Sequence, residues 1–377
     1  MHGARSGLAA SERLDWLRLW RSENVGPRTF FDLLRATGSA AAALDMLPEL
    51  ARRGGLRRRI RACSRDDAAR EADALAAIGG HLLAWGEPGF PRALAAIPDP
   101  PPIISALGHL DLLDRNSVAV VGARNASGIG RRFARGLAAE LGAGGLVVVS
   151  GLARGIDAEA HAGALAHGTV AAQAGGIDIV YPAENQALYE SIRDAGALVS
   201  EQPLGLAPQA RHFPRRNRIV SGLALGVVVV EASRRSGSLI TARLALEQGR
   251  EVFAVPGSPL DPRHGGTNLL IRQGAVLTES AEDVLSSLAE MTSRRLGETP
   301  EAPAGIGISS KEISELDVTD ADRERVMAAL GPTPLLVDEL VRQCQLTAAE
   351  VMIVMLELEL AGRVIRHPGG SISISDQ

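Results

Sequence analysis

Four arginines, a histidine and a phenylalanine fall within eight residues at Arg211-His212-Phe213-Pro214-Arg215-Arg216-Asn217-Arg218, and no acidic residue occurs from Gln202 through Val230. Solvated faces normally carry both signs. A cluster of one sign with an aromatic beside it suits single-stranded nucleic acid: guanidinium groups track phosphates while a ring or a guanidinium plane stacks on a base. The plain alternative is an exposed basic loop, or one whose charges are met by acids from elsewhere in the chain. A second candidate is the turn Gly122-Ala123-Arg124-Asn125-Ala126-Ser127-Gly128-Ile129-Gly130. It offers open backbone amides and Arg124, a permanently charged bidentate fork for phosphate. A tight strand-to-helix turn with Arg124 paired to an acid accounts for the same residues equally well. Ser236, Gly237, Ser238 and Thr241 open a helical stretch that runs to Gln248, either an anion-facing helix N-terminus or simply a cap.

Other chemistries find less support. In Ser150-Gly151-Leu152-Ala153-Arg154-Gly155-Ile156-Asp157, the aspartate suits a helix N-cap, and His161 follows four residues on, along the same helix face. No third residue has a supporting ligand spacing, so no metal is expected. No nucleophile, base and orienting group form a convincing set, so no catalytic residue is assigned. The first turn does not fit the G-x-G-x-x-G dinucleotide fingerprint, and the second strand lacks a terminal acid, which argues against NAD. No G-x-x-x-x-G-K-[ST] motif exists, and Lys311 is the only lysine among 40 cations, so P-loop and Schiff-base chemistry are excluded. No cofactor is expected.

The elements that must hold these turns are short apolar runs alternating with amphipathic stretches. Val118–Val121, Leu146–Val149, Val170–Ala174, Ala197–Ser200, Val227–Val230 and Val252–Val255 read as strands, with Gly274–Leu277 as a last candidate. Helical stretches lie at Ile129–Leu141, Ala158–Ala166 and near Asn185–Arg193. Strands apolar on both faces and separated by helices predict an α/β domain, a Rossmann-like, doubly wound, mostly parallel sheet. Ligands of such sheets bind at the carboxyl ends of the strands, where the turns above fall.

Before this domain, residues 11–37 read as two short helices broken at Glu23-Asn24-Val25-Gly26-Pro27. That outline is a helix-hairpin-helix or a small packing module, and Asn24 stands where such hairpins often have glycine. Pro98-Asp99-Pro100-Pro101-Pro102 is a stiff approach to the second domain. After it, residues 293–317 read as a linker. Helical stretches near 321–330, 335–343 and 347–361, then a strand pair around His367-Pro368-Gly369-Gly370, outline a winged helix. The boundaries that follow are 1–85, 86–292, 293–317 and 318–377.

With 377 residues, 46% of them hydrophobic, the chain is long enough for a core without disulfides, and its two cysteines make no knuckle. No apolar run approaches the roughly 20 residues of a spanning helix, so a cytoplasmic protein with no membrane partner is expected. The net charge of -4 argues against a nucleic-acid partner only as an average. Residues 1–110 carry 15 cations and 12 acids, residues 111–292 carry 17 and 18, and residues 293–377 carry 8 and 14. The stretch Thr347–Ala361, in the position of a recognition helix, has no Lys or Arg and three acids, Glu350, Glu357 and Glu359. A duplex-reading helix needs cations near phosphates, so this tail is expected to contact protein or to regulate. Arg363 and Arg366, on the wing, are the contrary signal.

Val120-Val121-Gly122-Ala123-Arg124, Ser150-Gly151-Leu152-Ala153-Arg154-Gly155-Ile156-Asp157, Phe213-Pro214-Arg215-Arg216-Asn217-Arg218-Ile219, Arg235-Ser236-Gly237-Ser238-Leu239-Ile240-Thr241-Ala242 and Val255-Pro256-Gly257-Ser258 occur in that order. Together they resemble the bacterial DNA-processing protein A (DprA/Smf) family over about residues 85–292. The N-terminal helices resemble, more loosely, the family's sterile-alpha-motif-like module. The resemblance implies a non-enzymatic protein with an extended Rossmann core that dimerises. It would bind and protect single-stranded DNA in natural transformation or recombination and help load the RecA recombinase. It maps a DNA pocket onto Gly122, Ala123 and Arg124, and onto Phe213, Arg215, Arg216, Asn217 and Arg218, with Arg211 as the extra cation before the phenylalanine. Asn125 and Arg154, in the first two turns, complete the candidate set. The alternative is an enzyme acting on a nucleotide or its phosphoribosyl part, as in Rossmann-like lysine-decarboxylase-like proteins. Their Pro-Gly-Gly-x-Gly-Thr signature is replaced here by Ser236-Gly237-Ser238-Leu239-Ile240-Thr241, and Glu247 is displaced.

Overall fold

Val118 and Val120 face one side of their strand while Ala119 and Val121 face the other, and both sides are buried. This two-sided burial dictates helices on both faces of the sheet. A computed structural model describes residues 7–295, 318–367 and 370–375. Contacts divide the chain into two units, one built on Glu71–Pro300 and the other on Leu8–Arg70 together with Glu301–Gln377. The linker expected at 293–317 lies outside the described residues from 296 onward.

The first unit holds a nine-stranded sheet. Its strands are β1 (His81–Ala84), β2 (Ile103–Gly108), β3 (Ser117–Val121), β4 (Val147–Ser150), β5 (Thr169–Ala172), β6 (Ala197–Ser200), β7 (Gly226–Val229), β8 (Glu251–Ala254) and β9 (Val276–Leu277). Their spatial order is β1-β2-β6-β5-β4-β3-β7-β8-β9. From β6 to β9 every pairing is parallel, whereas β1 and β2 form an antiparallel hairpin laid on β6. The order reverses between β3 and β7, which makes their carboxyl ends the switch point where doubly wound sheets form a crevice.

The helices of this unit are α5 (Arg92–Ala95), α6 (Gly128–Ala143), α7 (Ile156–Ala164), α8 (Gln186–Ala195), α9 (His212–Leu223), α10 (Ser238–Glu247), α11 (Gly265–Arg272) and α12 (Ala281–Arg295). Each expected strand is present to within a residue or two. The arginine-rich segment is not a loop: it forms the first two turns of α9, whose remaining residues Ile219, Val220 and Leu223 are buried in the core. Asp157 is not the N-cap of α7. Gly155 takes that place with φ 75°, and a Cβ there would lie 2.3 Å from the Ala123 carbonyl, so only glycine lets the second turn approach the first.

In the second unit, α1 (Ala10–Arg21), α2 (Pro27–Thr37) and α3 (Ala40–Arg53) bury Trp16, Leu17, Phe30 and Leu33, with the Trp16 and Phe30 rings edge to face at 5.1 Å. The helix α4 (Arg65–Ala77) begins in this unit, and from Glu71 on it belongs to the first, where Leu75 is buried. The tail contributes α13 (Asp320–Ala329), β10 (Leu335–Leu336), α14 (Val337–Cys344), α15 (Ala348–Leu360), β11 (Val364–Arg366) and β12 (Ser371–Ile374). Its small sheet has the antiparallel order β10-β12-β11, and this is a winged helix.

The helix α15 is apolar nearly all round and buried accordingly. Val351, Val354, Met355 and Leu358 fill the winged-helix core, and the same helix contacts α2 and α3. Two of its acids are buried in ion pairs: Glu357 with Arg323 at 2.7 Å, and Glu359 with Arg366 at 2.7 Å. Arg366 also reaches Asp32 of α2 at 3.2 Å, and the Thr29 hydroxyl donates to Glu359 at 3.2 Å. Burial pushes the Glu359 carboxyl up, against the pull of Arg366. Asn24 adopts φ 58°, and its side-chain amide donates to the Leu360 carbonyl at the end of α15, 3.0 Å away. An asparagine in place of the usual hairpin glycine is thus explained. It tolerates the left-handed conformation and caps a neighbouring helix. The position of a recognition helix is occupied by one that is covered by its own N-terminal module.

Candidate nucleic-acid interface

The strand ends at the switch point carry the first turn, 122–127, after β3 and the turn 230–237 after β7. Gly122 lets the first turn close, because a Cβ there would lie 2.6 Å from Ile156 and 3.1 Å from the Glu231 carbonyl. The turn then enters α6, where two of the leading amides already have internal acceptors. Ser127 caps the helix by accepting from the Gly130 amide at 2.8 Å, and the Glu231 carboxylate accepts from the Ser127 amide at 2.9 Å and from its hydroxyl at 2.5 Å. Glu231 is 1% exposed, and a side chain at Gly130 would strike its carboxylate. An internal carboxylate therefore stands where a Rossmann-type nucleotide phosphate would sit. Arg124 is the exposed cation that this turn presents, while the Ser127 and Gly130 amides are engaged internally.

Arg124 is exposed, and its guanidinium carbon lies 4.9 Å from the centre of the Phe213 ring. The half-buried Phe213 meets Tyr181 on a further side, ring centres 5.6 Å apart and tilted 55°. A guanidinium laid over one ring and a second ring 49% exposed form a row of flat surfaces at the strand ends. Composition gave no signal for Tyr181, because only the tertiary fold brings it beside Phe213. A cavity of about 10 Å³, room for about one water, lies under this row, lined by Gly151, Gln173, Tyr181, Phe213 and Arg216 among others.

The arginines of α9 divide sharply. Arg215 and Arg211 are exposed, and Arg215 has no carboxylate within 4.0 Å among the described residues. Arg216 is 5% exposed and points under the strand ends, donating to the carbonyls of Gly151 and Ala172, the latter at 2.8 Å. Arg218 is 6% exposed and pairs with Glu201, while also donating to the Asp99 carbonyl at 2.6 Å. Asn217 donates to the Gly237 carbonyl at 3.4 Å, which ties α9 to the turn Ser236-Gly237-Ser238. In that turn the Ser236 and Ser238 hydroxyls bond each other at 2.7 Å, and Ser238 and Thr241 are buried. Arg154 is exposed but salt-bridged to Glu184.

Beneath the first two turns lies a buried polar group of three. Asp157 accepts from the amides of Gly151 and Ala153 at 3.2 and 3.4 Å. His161 accepts from the Leu152 amide through Nε2 at 3.3 Å and meets Thr169 through Nδ1 at 2.7 Å. Thr169 donates onward to the Val148 carbonyl, so it accepts from a protonated Nδ1, and the imidazole is neutral. Burial, helped by Arg216, holds His161 down at about 3, and burial pushes the Asp157 carboxyl up against the attraction of Arg216. These groups brace the loop, and no cluster suited to a metal occurs among the described residues.

The class of protein is defined at this point: a Rossmann-like domain whose crevice presents cations and flat rings to a ligand, joined to a helical hairpin module and a winged helix. Family models agree. Residues 81–289 match "DNA recombination-mediator protein A", residues 10–74 a "DprA-like N-terminal HHH domain", and residues 312–370 a "DprA winged helix domain". The chain belongs to the DNA-processing protein A (DprA/Smf) family. It is 40% identical over 297 residues to Protein Smf of Escherichia coli K12, covering 78% of this chain and 77% of that protein. The X-ray structure of DNA processing protein A from Streptococcus pneumoniae superposes with a TM-score of 0.61 at 34% identity, covering 74% of this chain and 98% of that one. DNA processing protein A from Helicobacter pylori, described for its single-stranded DNA binding mode, gives 0.51 at 29% identity, over 56% of this chain and 96% of that one. No helix among the described residues is long and apolar enough to cross a membrane.

Proposed function

We propose that this protein binds single-stranded DNA, without sequence preference, in the crevice where Arg124 lies over Phe213. That cation-on-ring contact carries the reading. Exposed Arg124, Arg215 and Arg211 serve the phosphates, with Asn125 and Arg154 at the margin. The Arg124 plane with the Phe213 and Tyr181 rings serves the bases. Gly122, Ala123, Arg216 and Asn217 act by shaping the crevice, Arg218 holds α9 in place through Glu201 and the Asp99 carbonyl, and the Ser236–Thr241 helix start flanks the crevice. The binding mode described for the Helicobacter pylori relative supports the reading. Its role is to protect incoming or recombinogenic strands and to help load RecA in the cytoplasm, as a homodimer through the Rossmann-like unit and without catalysis. A buried Glu231 carboxylate at the start of α6 disfavours the alternative, a nucleotide-processing enzyme.

Fluorescence anisotropy with oligonucleotides across a salt series tests the pocket. Arg124→Ala or Arg215→Ala should weaken binding to any sequence and flatten the salt dependence by roughly 0.7 per lost phosphate contact. Arg124→Lys should keep the salt slope and lose the stacking share. Unchanged affinity and slope in both alanine variants would sink the pocket assignment. RecA filament assembly on the same strands, with and without the protein, tests the loading role.

A further inference from the structure

We infer that the second unit carries its own binding surface for a nucleic-acid backbone, built on the loop between α3 and α4 and on Arg363. From Arg52 through Arg61 the chain has six arginines in ten residues and no acid, a denser run of one sign than the segment around Phe213. The loop is held close to the winged helix by its glycines. A Cβ on Gly54 would lie 2.0 Å from the Glu357 carbonyl, and Gly55, at φ 97°, faces the Arg363 side chain. Ile60 is buried and anchors the loop, which leaves Arg57, Arg58, Arg59 and Arg61 exposed.

The result is an open hollow of about 730 Å³ lined by Arg52, Gly55, Leu56, Arg57 and Arg363. Neutralisation is incomplete. Arg52 and Arg53 share one carboxylate, Glu49, while Arg58 pairs with Glu23. Asp320 stands near enough to Arg52 to be felt. Arg57 and Arg59 have no carboxylate within 4.0 Å among the described residues. Protein interfaces bury aromatic and apolar anchors at their centre. This hollow offers guanidinium groups, a glycine and one half-buried leucine, a lining suited to a repeating phosphate chain and not to an acidic protein. The inference rests on the proposed strand-binding reading only for the class of polyanion; the surface itself is independent of the crevice.

The test compares the full-length protein with its Arg57→Ala/Arg59→Ala double variant. Both side chains are exposed, and an unchanged melting midpoint checks the fold. The probes are labelled oligothymidylates, one short enough for a single site and one several times longer, across a salt series. Two weak sites on one strand reinforce each other. The double variant should therefore keep short-strand affinity within twofold and lose at least fivefold on the long strand, with the salt slope lowered by roughly 1.4 for two lost contacts. Arg57→Lys/Arg59→Lys should restore most of the loss. Unchanged long-strand affinity and slope would overturn the inference. Saturable binding of a polyglutamate peptide that the variant abolishes, with DNA binding intact, would also overturn it by assigning the surface to an acidic protein. Arg124→Ala keeps the two readings apart: if it leaves short-strand binding intact, the crevice reading fails whatever the loop variant does.

Discussion

Arg216 and Arg218 are as buried as many core leucines, whereas Arg215, between Pro214 and Arg216, is exposed. Helical geometry produces this split, since neighbours on a helix point about 100° apart. Arg218 neutralises Glu201, an acid that stands just outside the acid-free stretch in the sequence. Removing one partner of a buried ion pair costs about 3–5 kcal/mol. Arg218→Ala should accordingly lower stability by that order in urea unfolding, while the folded fraction binds oligonucleotide with wild-type affinity. A loss of affinity with full stability would move Arg218 into the binding site. Arg124 and Arg215 should behave in the opposite way, because neither is buried.

At the scale of elements, the parallel strands and their helices were legible because each strand is a short apolar run bounded by glycine and polar turns. The hairpin β1–β2 was not, since its strands are short and the proline-rich segment before Ile103 masks the second. The helical state of the Phe213 segment was also hidden: Pro214 and four cations obscure a periodicity that resumes only at Ile219. The close approach of α3 to α15 depends on a residue with no chemistry of its own. Gly54 has φ -68°, which any residue can adopt, so its need is purely steric. Gly54→Ala would press a methyl against the Glu357 carbonyl and should destabilise the second unit by about 1–3 kcal/mol. The melting midpoint of that unit measures it, and an unchanged midpoint would mean that α15 is not seated there.

On the scale of the whole molecule, the average charge is the sum of opposed parts. Residues 1–70 carry 14 cations and 8 acids, and residues 293–377 carry 8 and 14. The two segments are equal and opposite in net charge, and their described residues from Leu8 to Arg70 and from Val318 onward belong to one unit, tied by Arg366 between Asp32 and Glu359. Cutting the chain near residue 295 would remove α15 and uncover its contacts on α2 and α3. The truncated protein should show protease sensitivity in residues 8–70 while retaining affinity for a short oligonucleotide. A loss beyond about tenfold, or about 1.4 kcal/mol, would mean that the Rossmann-like unit does not hold the strand alone.

Local sequence was enough for the class of sheet, for the turns at the carboxyl ends of its strands, and for the acid-free stretch 202–230 that includes the Phe213 segment. Periodicity and composition are local, and a parallel sheet built of two-sided apolar strands has few alternatives. Which arginines face solvent was decided only in three dimensions, because pairing joins residues such as Arg218 and Asp99 that lie far apart in the chain. The same holds for the Glu231 carboxylate at the head of α6, and for α15, whose all-round apolar surface is satisfied by a partner more than 300 residues away in sequence. Burial of a charge is a property of its whole surroundings, and a list of neighbours in sequence does not contain them.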